Sequence, residues 1–525
     1  MAVVRYTLQQ VAAAETPRAV ALGVFDGLHI GHRAVISAVC GVEYTDGRIL
    51  SAAVLSMTGV PKDDTKRLLT EQREERLLNS LGVDEWIEMP FAQVCDLSPE
   101  QFVREVLYTQ LNARMVCCGY NYRFGKGGQG TVDTLRTLCD PLGIRVVVID
   151  AVNRDGDVVS STRVRQAVAN GEMQTAMRLL GRPFAVELPI THGEHRGHTW
   201  GVPTINQVFP ETYAVPRFGV YASLVILGDQ QYRAVTNVGV HPTVGAAKRP
   251  QAETWILGFE GELYDQTVQV MLIRFLREEQ QFASVEALRS QIAADTDKAE
   301  AALSGADGAK AVLFDFDDTL QDRGAAFLKV AAWLLDRHMP SATPEQHTAY
   351  ARQMLVENKG GYVDYSTYFG SIIEQMPFEE QTTAERLMWE YQRLFPACSV
   401  LYPETEAVLV EIVQRGYRIG LLTNGRSLMQ NRKLDMTQLR LFTDVAMVSG
   451  DEGVHKPDPA LFRRLAERLC VAPENCVFVG DHPVNDIQGA LEAGMQAIYL
   501  NTRGLDEHPK GVPEVARLAD ILDKL

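Results

Sequence analysis

An apolar run, Ala311-Val312-Leu313-Phe314, stops abruptly at Asp315-Phe316-Asp317-Asp318-Thr319-Leu320. A strand ending in carboxylates constrains the chain strongly, because open α/β sheets bind ligands in the crevice beyond the C-terminal ends of their strands. The pattern returns downstream. Arg418–Leu422 leads to Thr423-Asn424, and Cys476–Val479 leads to Gly480-Asp481-His482-Pro483-Val484-Asn485-Asp486, with His455-Lys456-Pro457-Asp458-Pro459 between them. Asp315 and Asp317, two residues apart, suit a nucleophile and a general acid/base. The Thr423 hydroxyl and Asn424 amide are expected to grip phosphoryl oxygens. Lys456 is expected to neutralise the phosphate and Asp315. Asp481 is expected to bind magnesium, and Asp486 to bind it through water or to orient Lys456.

This unit is not the whole molecule, since 525 residues exceed what one hydrophobic core supports. Three units are expected, at 1–183, 184–305 and 309–525. The small, polar stretch Ala301–Lys310 reads as a linker. A net charge of −16 argues against generic nucleic-acid or anionic-membrane binding, though not against small nucleotide substrates. Eight scattered cysteines without Cys-x-x-Cys spacing indicate neither a zinc site nor a disulfide framework, and Cys117-Cys118 read as core thiols. With no apolar run of spanning length and no signal-peptide pattern in Met1–Gln10, the expectation is a reduced, cytoplasmic, soluble protein.

In the first unit, the strand Arg18–Val24 precedes Phe25-Asp26-Gly27-Leu28-His29-Ile30-Gly31-His32 and a helix through Cys40. A strand, a glycine-rich turn and a helix start together form an anion site. Histidines three apart can both lean on one phosphate, although each alone is more often a surface or capping residue. About 130 residues later, Ser160-Ser161-Thr162-Arg163-Val164-Arg165 opens another helix with hydroxyls and arginines. Strands and helices alternate between the two, which predicts a parallel sheet. Together these stretches resemble the FAD synthetase half of the bacterial bifunctional flavin enzymes, nucleotidylyltransferases of the His-x-Gly-His class. Gly119-Tyr120-Asn121-Tyr122-Arg123-Phe124-Gly125 and Leu179-Leu180-Gly181-Arg182-Pro183 match the same family. The resemblance implies a Rossmann-like domain with His29 and His32 catalytic. It implies substrate or nucleotide contacts from Gly23, Asp26, Gly31, Asn121, Arg123, Ser161, Thr162, Arg163 and Arg165. One departure stands out. The family's Pro-His-Pro segment is replaced by Ser56-Met57-Thr58-Gly59-Val60-Pro61, which leaves open slow adenylyl transfer or a module that binds nucleotide without catalysis.

From about Phe184 to Ala302, short strands rich in Val, Ile, Tyr and Thr between Gly/Pro turns suggest a small barrel, closed by a helix over Ser284–Ala302. Gly201-Val202-Pro203-Thr204-Ile205-Asn206 places Thr204 and Asn206 on one side of an extended strand. With Phe218-Gly219-Val220-Tyr221-Ala222, Asn237-Val238-Gly239-Val240-His241-Pro242-Thr243, Glu253 at the start of Thr254–Leu257 and Phe275-Leu276-Arg277-Glu278, the region resembles riboflavin kinases. That implies a six-stranded barrel, Mg²⁺ and phosphate contacts from Thr204 and Asn206, further substrate contacts from Gly201 and Pro203, and Glu253 as general base. His198 stands where an arginine is usual, and Gly258 where an aspartate is usual, which predicts weakened ATP binding.

Over residues 309–525 the chain resembles the haloacid dehalogenase (HAD) superfamily of phosphohydrolases, and Asp317 points to phosphoester chemistry. The resemblance implies a Rossmann-like domain with Mg²⁺ held among Asp315, Asp317, Asp481 and Asp486. The roughly 100 residues between Asp315 and Thr423 read as an inserted helical cap at about 325–400, with helices over Ala325–His338, Thr343–Glu357 and Thr382–Leu394. Tyr362, Tyr365, Tyr368, Phe369, Trp389 and Tyr391 could stack on a heterocycle there or simply pack the cap.

The whole therefore reads as an α/β multidomain enzyme with ATP as co-substrate and FMN and FAD as products. Its partners are small molecules, without nucleic acid or membrane. The preferred substrate of the third unit is the phosphorylated ribitylamino-pyrimidine precursor of riboflavin, ahead of FMN and of general sugar or nucleotide phosphates.

Overall fold

The computed structural model describes residues 3–11, 16–43, 48–59, 66–191, 203–240, 249–361, 363–379, 381–502, 504 and 509–525. Gly201, His198, Tyr362 and the stretch His241-Pro242-Thr243 lie outside the described residues.

The first unit is a parallel sheet of six strands: β1 (Val4–Thr7), β2 (Arg18–Gly23), β3 (Ser51–Thr58), β4 (Glu85–Pro90), β5 (Ala113–Gly119) and β6 (Arg145–Ile149), in the order β1-β4-β3-β2-β5-β6. The central strand β2 is buried on both faces, which is why Ala19–Leu22 reads as an unbroken apolar run after Arg18, itself buried against Glu85. Helix α1 (Ile30–Ser37) follows β2, and α2 (Glu71–Leu81) precedes β4. The α1 helix is shorter than expected, ending at Ser37 instead of Cys40. Cys117 and Cys118 are buried core thiols. After β6 come the hairpin β7 (Asn153–Arg154) and β8 (Asp157–Val158), and then α3 (Ser161–Asn170), capped by Ser160.

The second unit is a closed antiparallel barrel of β9 (Ala185–Thr191), β10 (Thr204–Val208), β11 (Gly219–Leu227), β12 (Gln230–Val240), β13 (Pro250–Ile256) and β14 (Thr267–Arg277), in the order β10-β13-β12-β11-β14-β9. Its interior is filled by Leu188, Val225, Val238, Ala252, Ile256 and Val270, in one continuous cluster with Val164, Val168, Leu179 and Leu180 of the first unit. The chain thus passes from sheet to barrel inside a shared core. Helix α4 (Val285–Leu303) is fastened to the barrel by Asp295, which accepts from the Arg277 guanidinium at 2.6 Å.

The third unit has a parallel sheet of β15 (Ala311–Phe314), β16 (Arg418–Thr423), β17 (Val445–Val448), β18 (Cys476–Gly480), β19 (Gln496–Leu500) and β20 (Glu514–Val515), in the order β17-β16-β15-β18-β19-β20. The insertion after β15 is helical: α5 (Arg323–His338), α6 (Pro344–Glu357), α7 (Tyr365–Gln375) and α8 (Ala384–Cys398). The α7 helix was not expected from the sequence. Its polar start, Asp364, caps the Thr367 N–H, and its buried side carries Tyr368, Phe369 and Ile372. The stretch expected to be a linker packs on the barrel: Leu303 is buried, Ser304 accepts from Arg233, and Asp307 accepts from Arg274. Glu467 of the third unit also accepts from Arg233, at 2.9 Å. Among the described residues no helix is long and apolar enough to cross a membrane.

Candidate functional sites

In the third unit the strand ends converge. One carboxylate oxygen from each of Asp315, Asp481 and Asp486 lies within 4.8 Å of the others, and all three residues are buried. Lys456 sits among them, its ammonium donating to Asp315 at 2.5 Å and to Asp486 at 2.6 Å. Three buried carboxylates with one lysine leave an excess of negative charge in a low dielectric, an arrangement that calls for a further cation. All donors are oxygens, which suits Mg²⁺. The charge imbalance is visible in Asp315. Burial pushes its carboxyl up to about 7, Lys456 opposes that shift, and Asp486 adds to it. Burial alone would lower the Lys456 ammonium, but its two carboxylate partners raise it above its ordinary range.

Two expectations need correction. The Asp317 side chain is not in the converging set. Lys433 and Gln321 hold it from one side and the Gln430 amide donates to it at 2.8 Å, while a second Lys433 contact measures 2.6 Å. Burial works to raise this carboxyl, yet Lys433, Arg323 and these hydrogen bonds outweigh it and hold Asp317 below the usual carboxylate range. Asn424, in turn, does not present its amide to the crevice. It accepts from the Lys456 N–H at 2.9 Å and donates to the Lys456 carbonyl at 3.0 Å, so it fixes the lysine loop. Thr423 is buried beside it and accepts from Gln430 at 2.5 Å.

Above these residues lies a cavity of about 750 Å³, lined by Asp315, Asp317 and Lys456 below and by Arg323, Tyr365 and Arg426 toward the cap. Tyr365 lines the cavity, whereas Tyr368, Phe369 and Tyr391 are buried in the packing of the cap. Gln430 and Lys433, on α9 (Ser427–Met436), were missed by the sequence reading. The available signal was a helix with polar residues on every side, which a surface helix resting on a core does not show.

In the first unit, His29 caps α1 and its Nδ1 accepts from the His32 N–H at 3.2 Å. That bond fixes the tautomer, so Nε2 carries the proton as a donor. The rings stack with centroids 3.6 Å apart. A Cβ at Gly31 would stand 3.2 Å from the His29 ring, so glycine leaves room for the ring over the helix start. Burial, aided by Arg182 and Arg165, pushes His29 down to about 3, and burial beside His29 holds His32 well below its ordinary value. Both are neutral at physiological pH. The His32 Nδ1 is buried without a hydrogen-bond partner among the described residues, as expected of a donor or acceptor awaiting a ligand.

Around them, Asp26 is a structural hub. Its carboxylate accepts from the Leu68 N–H and from Arg165, and its carbonyl accepts from the Ser161 hydroxyl. The arginines of α3 therefore differ from expectation. Arg165 is paired with Asp26, and Arg163 donates to the carbonyls of Asp157 and Val158, tying down the β7–β8 hairpin. Thr162 follows Ser161 at the start of α3. Asn121 and Arg123 lie exposed on the loop after β5, and Gly23 ends β2.

On the barrel, Ile205 and Gln207 turn toward the core while Thr204 and Asn206 take the opposite face. Asn206 is registered directly across from Glu253, and Glu253 directly across from Asn237 on β12, so three polar side chains form a row across three strands. Glu253 sits in the middle of β13, not at its start, because pairing with β10 and β12 extends that strand back to Pro250. Pro203 immediately precedes β10.

The folds and sites define a multidomain enzyme for phosphorus chemistry: two parallel sheets with anion-handling crevices, joined through a barrel. Family comparisons agree in chain order. A FAD synthetase model matches residues 11–163, a riboflavin kinase model 180–303, and a haloacid dehalogenase-like hydrolase model 309–494. The bifunctional riboflavin kinase/FMN adenylyltransferase of Listeria monocytogenes is 32% identical over 286 residues, covering 53% of this chain and 90% of that protein. The Escherichia coli K12 enzyme of the same name is 34% identical over 284 residues, covering 52% and 89%. The crystal structure of a macrolide-efflux protein from Streptococcus pneumoniae matches with a TM-score of 0.51 and 28% identity, covering 57% of this chain and 99% of that one. The chain belongs to the bifunctional riboflavin kinase/FMN adenylyltransferase family, extended by a haloacid dehalogenase-like hydrolase unit.

Proposed function

We propose that the chain makes FMN and FAD with its first two units and hydrolyses a phosphate monoester with its third. The relatives' names and the matched families support the first two activities. For the third, the observation that carries the reading is the convergence of Asp315, Asp481 and Asp486 around Lys456.

In the barrel, Glu253 takes the proton from the ribityl hydroxyl of riboflavin as that oxygen attacks the terminal phosphorus of ATP and ADP leaves. Thr204 and Asn206 hold the phosphate on the same outer face. In the first unit, an FMN phosphate oxygen attacks the α-phosphorus of ATP and pyrophosphate leaves. The neutral His29, donating from Nε2, and His32 stabilise the charge that develops there.

In the third unit, an Asp315 oxygen attacks phosphorus and the ester P–O bond breaks. The leaving oxygen takes a proton from a water that the Asp317 carboxylate, kept ionised by Lys433, orients. The hydroxide left beside Asp317 attacks the aspartyl-phosphate, breaks its P–O bond to Asp315 and releases inorganic phosphate with the Asp315 carboxylate restored. Asp315, Asp481 and Asp486 would hold Mg²⁺, which supplies charge neutralisation at the phosphoryl group. The phosphorylated ribitylamino-pyrimidine precursor is the first candidate substrate. A cavity of about 750 Å³ falls within the range of small-metabolite sites, and Tyr365 with Arg323 and Arg426 suits a polar heterocycle.

Purified chain given riboflavin, ATP and Mg²⁺ tests the first reading. FMN followed by FAD is expected, and Glu253→Gln should slow FMN formation by roughly 10²-fold or more. FMN without FAD would favour a first unit that binds nucleotide without catalysis. For the third unit, the pyrimidine precursor phosphate and FMN are compared with sugar phosphates. Equal rates on all three would sink the dedicated substrate.

A further inference from the structure

Helix α9 is buried on every side. Gln430, Asn431, Arg432, Lys433, Leu434 and Asp435 form six consecutive buried residues. At about 100° per residue, Gln430 and Lys433 face one way and Arg432 and Asp435 face nearly the opposite way. The first face grips Asp317. The second rests on the first unit. Asp435 accepts from Arg33 on α1 through two bonds, Nε–Oδ1 at 2.8 Å and Nη2–Oδ2 at 2.7 Å, both buried. Arg440 adds a further bond to the same carboxylate at 3.0 Å. Arg432 packs on Gly82 at the end of α2, where a Cβ would stand 2.7 Å from its Cδ, and donates to the Arg393 carbonyl of α8 in the cap at 2.9 Å. Arg393 in turn pairs with Asp84 of the first unit, and Trp333 of α5 donates to Glu43 at 2.6 Å.

We propose that Arg33, a residue of the nucleotidylyltransferase-like unit, is a positioning residue for the phosphohydrolase. Acting through Asp435, it seats α9 so that Lys433 and Gln430 hold the Asp317 carboxylate where it orients the water that protonates the leaving oxygen. The inference rests on the hydrolase reading above. A planar guanidinium forked onto a buried carboxylate fixes both distance and rotation, so displacing the helix by a fraction of an ångström carries directly to the Asp317 contacts on its other side. Arg33 is the residue after His32, so the helix that begins at the nucleotidyl site also backs the hydrolytic one.

The test uses the full chain and two phosphate monoesters, glycerol 2-phosphate with an alkoxide leaving group and p-nitrophenyl phosphate with a weakly basic one. Proton donation matters for the first and little for the second. Arg33→Met should lower kcat on glycerol 2-phosphate by on the order of 10-fold, with a much smaller loss on p-nitrophenyl phosphate and an unchanged KM. Arg33→Lys, keeping the charge and one bond, should recover part of the loss. Lys433→Met should show the same selectivity without touching the first unit, and it stands in if Arg33→Met folds poorly. Kinase activity in the barrel serves as the folding control. Equal losses on both esters, no loss, or a rise in KM alone would overturn the proposal. A wild-type chain hydrolysing neither ester would instead sink the hydrolase reading. The mechanical half is then decided by amide hydrogen exchange, where Arg33→Met must speed exchange in residues 427–436 and 315–321, and unchanged exchange refutes it.

Discussion

The two parallel sheets solve one problem in opposite ways. Both place their chemistry at the C-terminal ends of central strands, β2 in one and β15 with β18 in the other. At the end of β2 stand a buried imidazole, His29, and a half-buried one, His32, neutral and stacked over a helix start whose N–H groups and dipole supply positive potential. At the ends of β15 and β18 stand three buried carboxylates and a lysine, a site dominated by full charge. The difference matches the chemistry proposed for each. Nucleotidyl transfer needs donors toward a developing charge and no protein nucleophile. Hydrolysis through an aspartyl-phosphate needs a carboxylate nucleophile, and with it a cation to let phosphate approach.

If the carboxylate site works by charge and covalency, Asp315→Asn should reduce monoester hydrolysis by at least about 10³-fold while leaving the barrel's kinase rate intact, as measured on one preparation. Lys456→Met should leave Asp315 and Asp486 buried without their partner. Unfolding of the third unit in the absence of Mg²⁺ should then become easier by about 3 kcal/mol, read from denaturant midpoints, with Mg²⁺ restoring part of it.

At the imidazole site, His29→Ala should slow FAD formation from supplied FMN by about 10²-fold. That rate should show no histidine titration between pH 6 and 8. A titration near neutral pH would mean that the imidazoles work charged and that the contrast between the sheets is false. The smallest effect concerns stability. His29 has a folded value of about 3, below the value near 6.5 of an unfolded chain, so the unfolded state takes the proton first. Its contribution is complete above pH 6.5 and is lost as pH falls from there toward 3. Between pH 6.5 and 5.5 the loss is about 1 kcal/mol. The buried Glu74, raised to about 7, works in the opposite sense, since its contribution is lost as pH rises through that window. Comparing His29→Gln with the wild-type chain by thermal melts at pH 5.5 and 7.5 isolates the histidine.

The sequence made legible whatever is carried by local pattern. Apolar runs ending in Asp315, Thr423 and Asp481 became adjacent parallel strands, and alternation around Thr204 and Asn206 put both on one barrel face. What escaped depends on distant partners. Arg33 and Asp435 lie 402 positions apart, and neither carries a local sign of the other. Lys433 reads as an ordinary helix lysine until the fold brings Asp317 to it. Asn424 and Arg163 are polar residues in phosphate-like settings whose nearest partners are backbone carbonyls and amides. The local pattern identified the neighbourhood, and competition among partners decided which atom each side chain holds.

The most direct test is a time course of flavin species in the full chain supplied with riboflavin, ATP and Mg²⁺, run beside Glu253→Gln and His29→Ala. FMN should rise and then give way to FAD in the wild type, accumulate without FAD in His29→Ala, and scarcely form in Glu253→Gln. A wild-type chain that binds riboflavin and ATP yet makes no FMN would contradict the account.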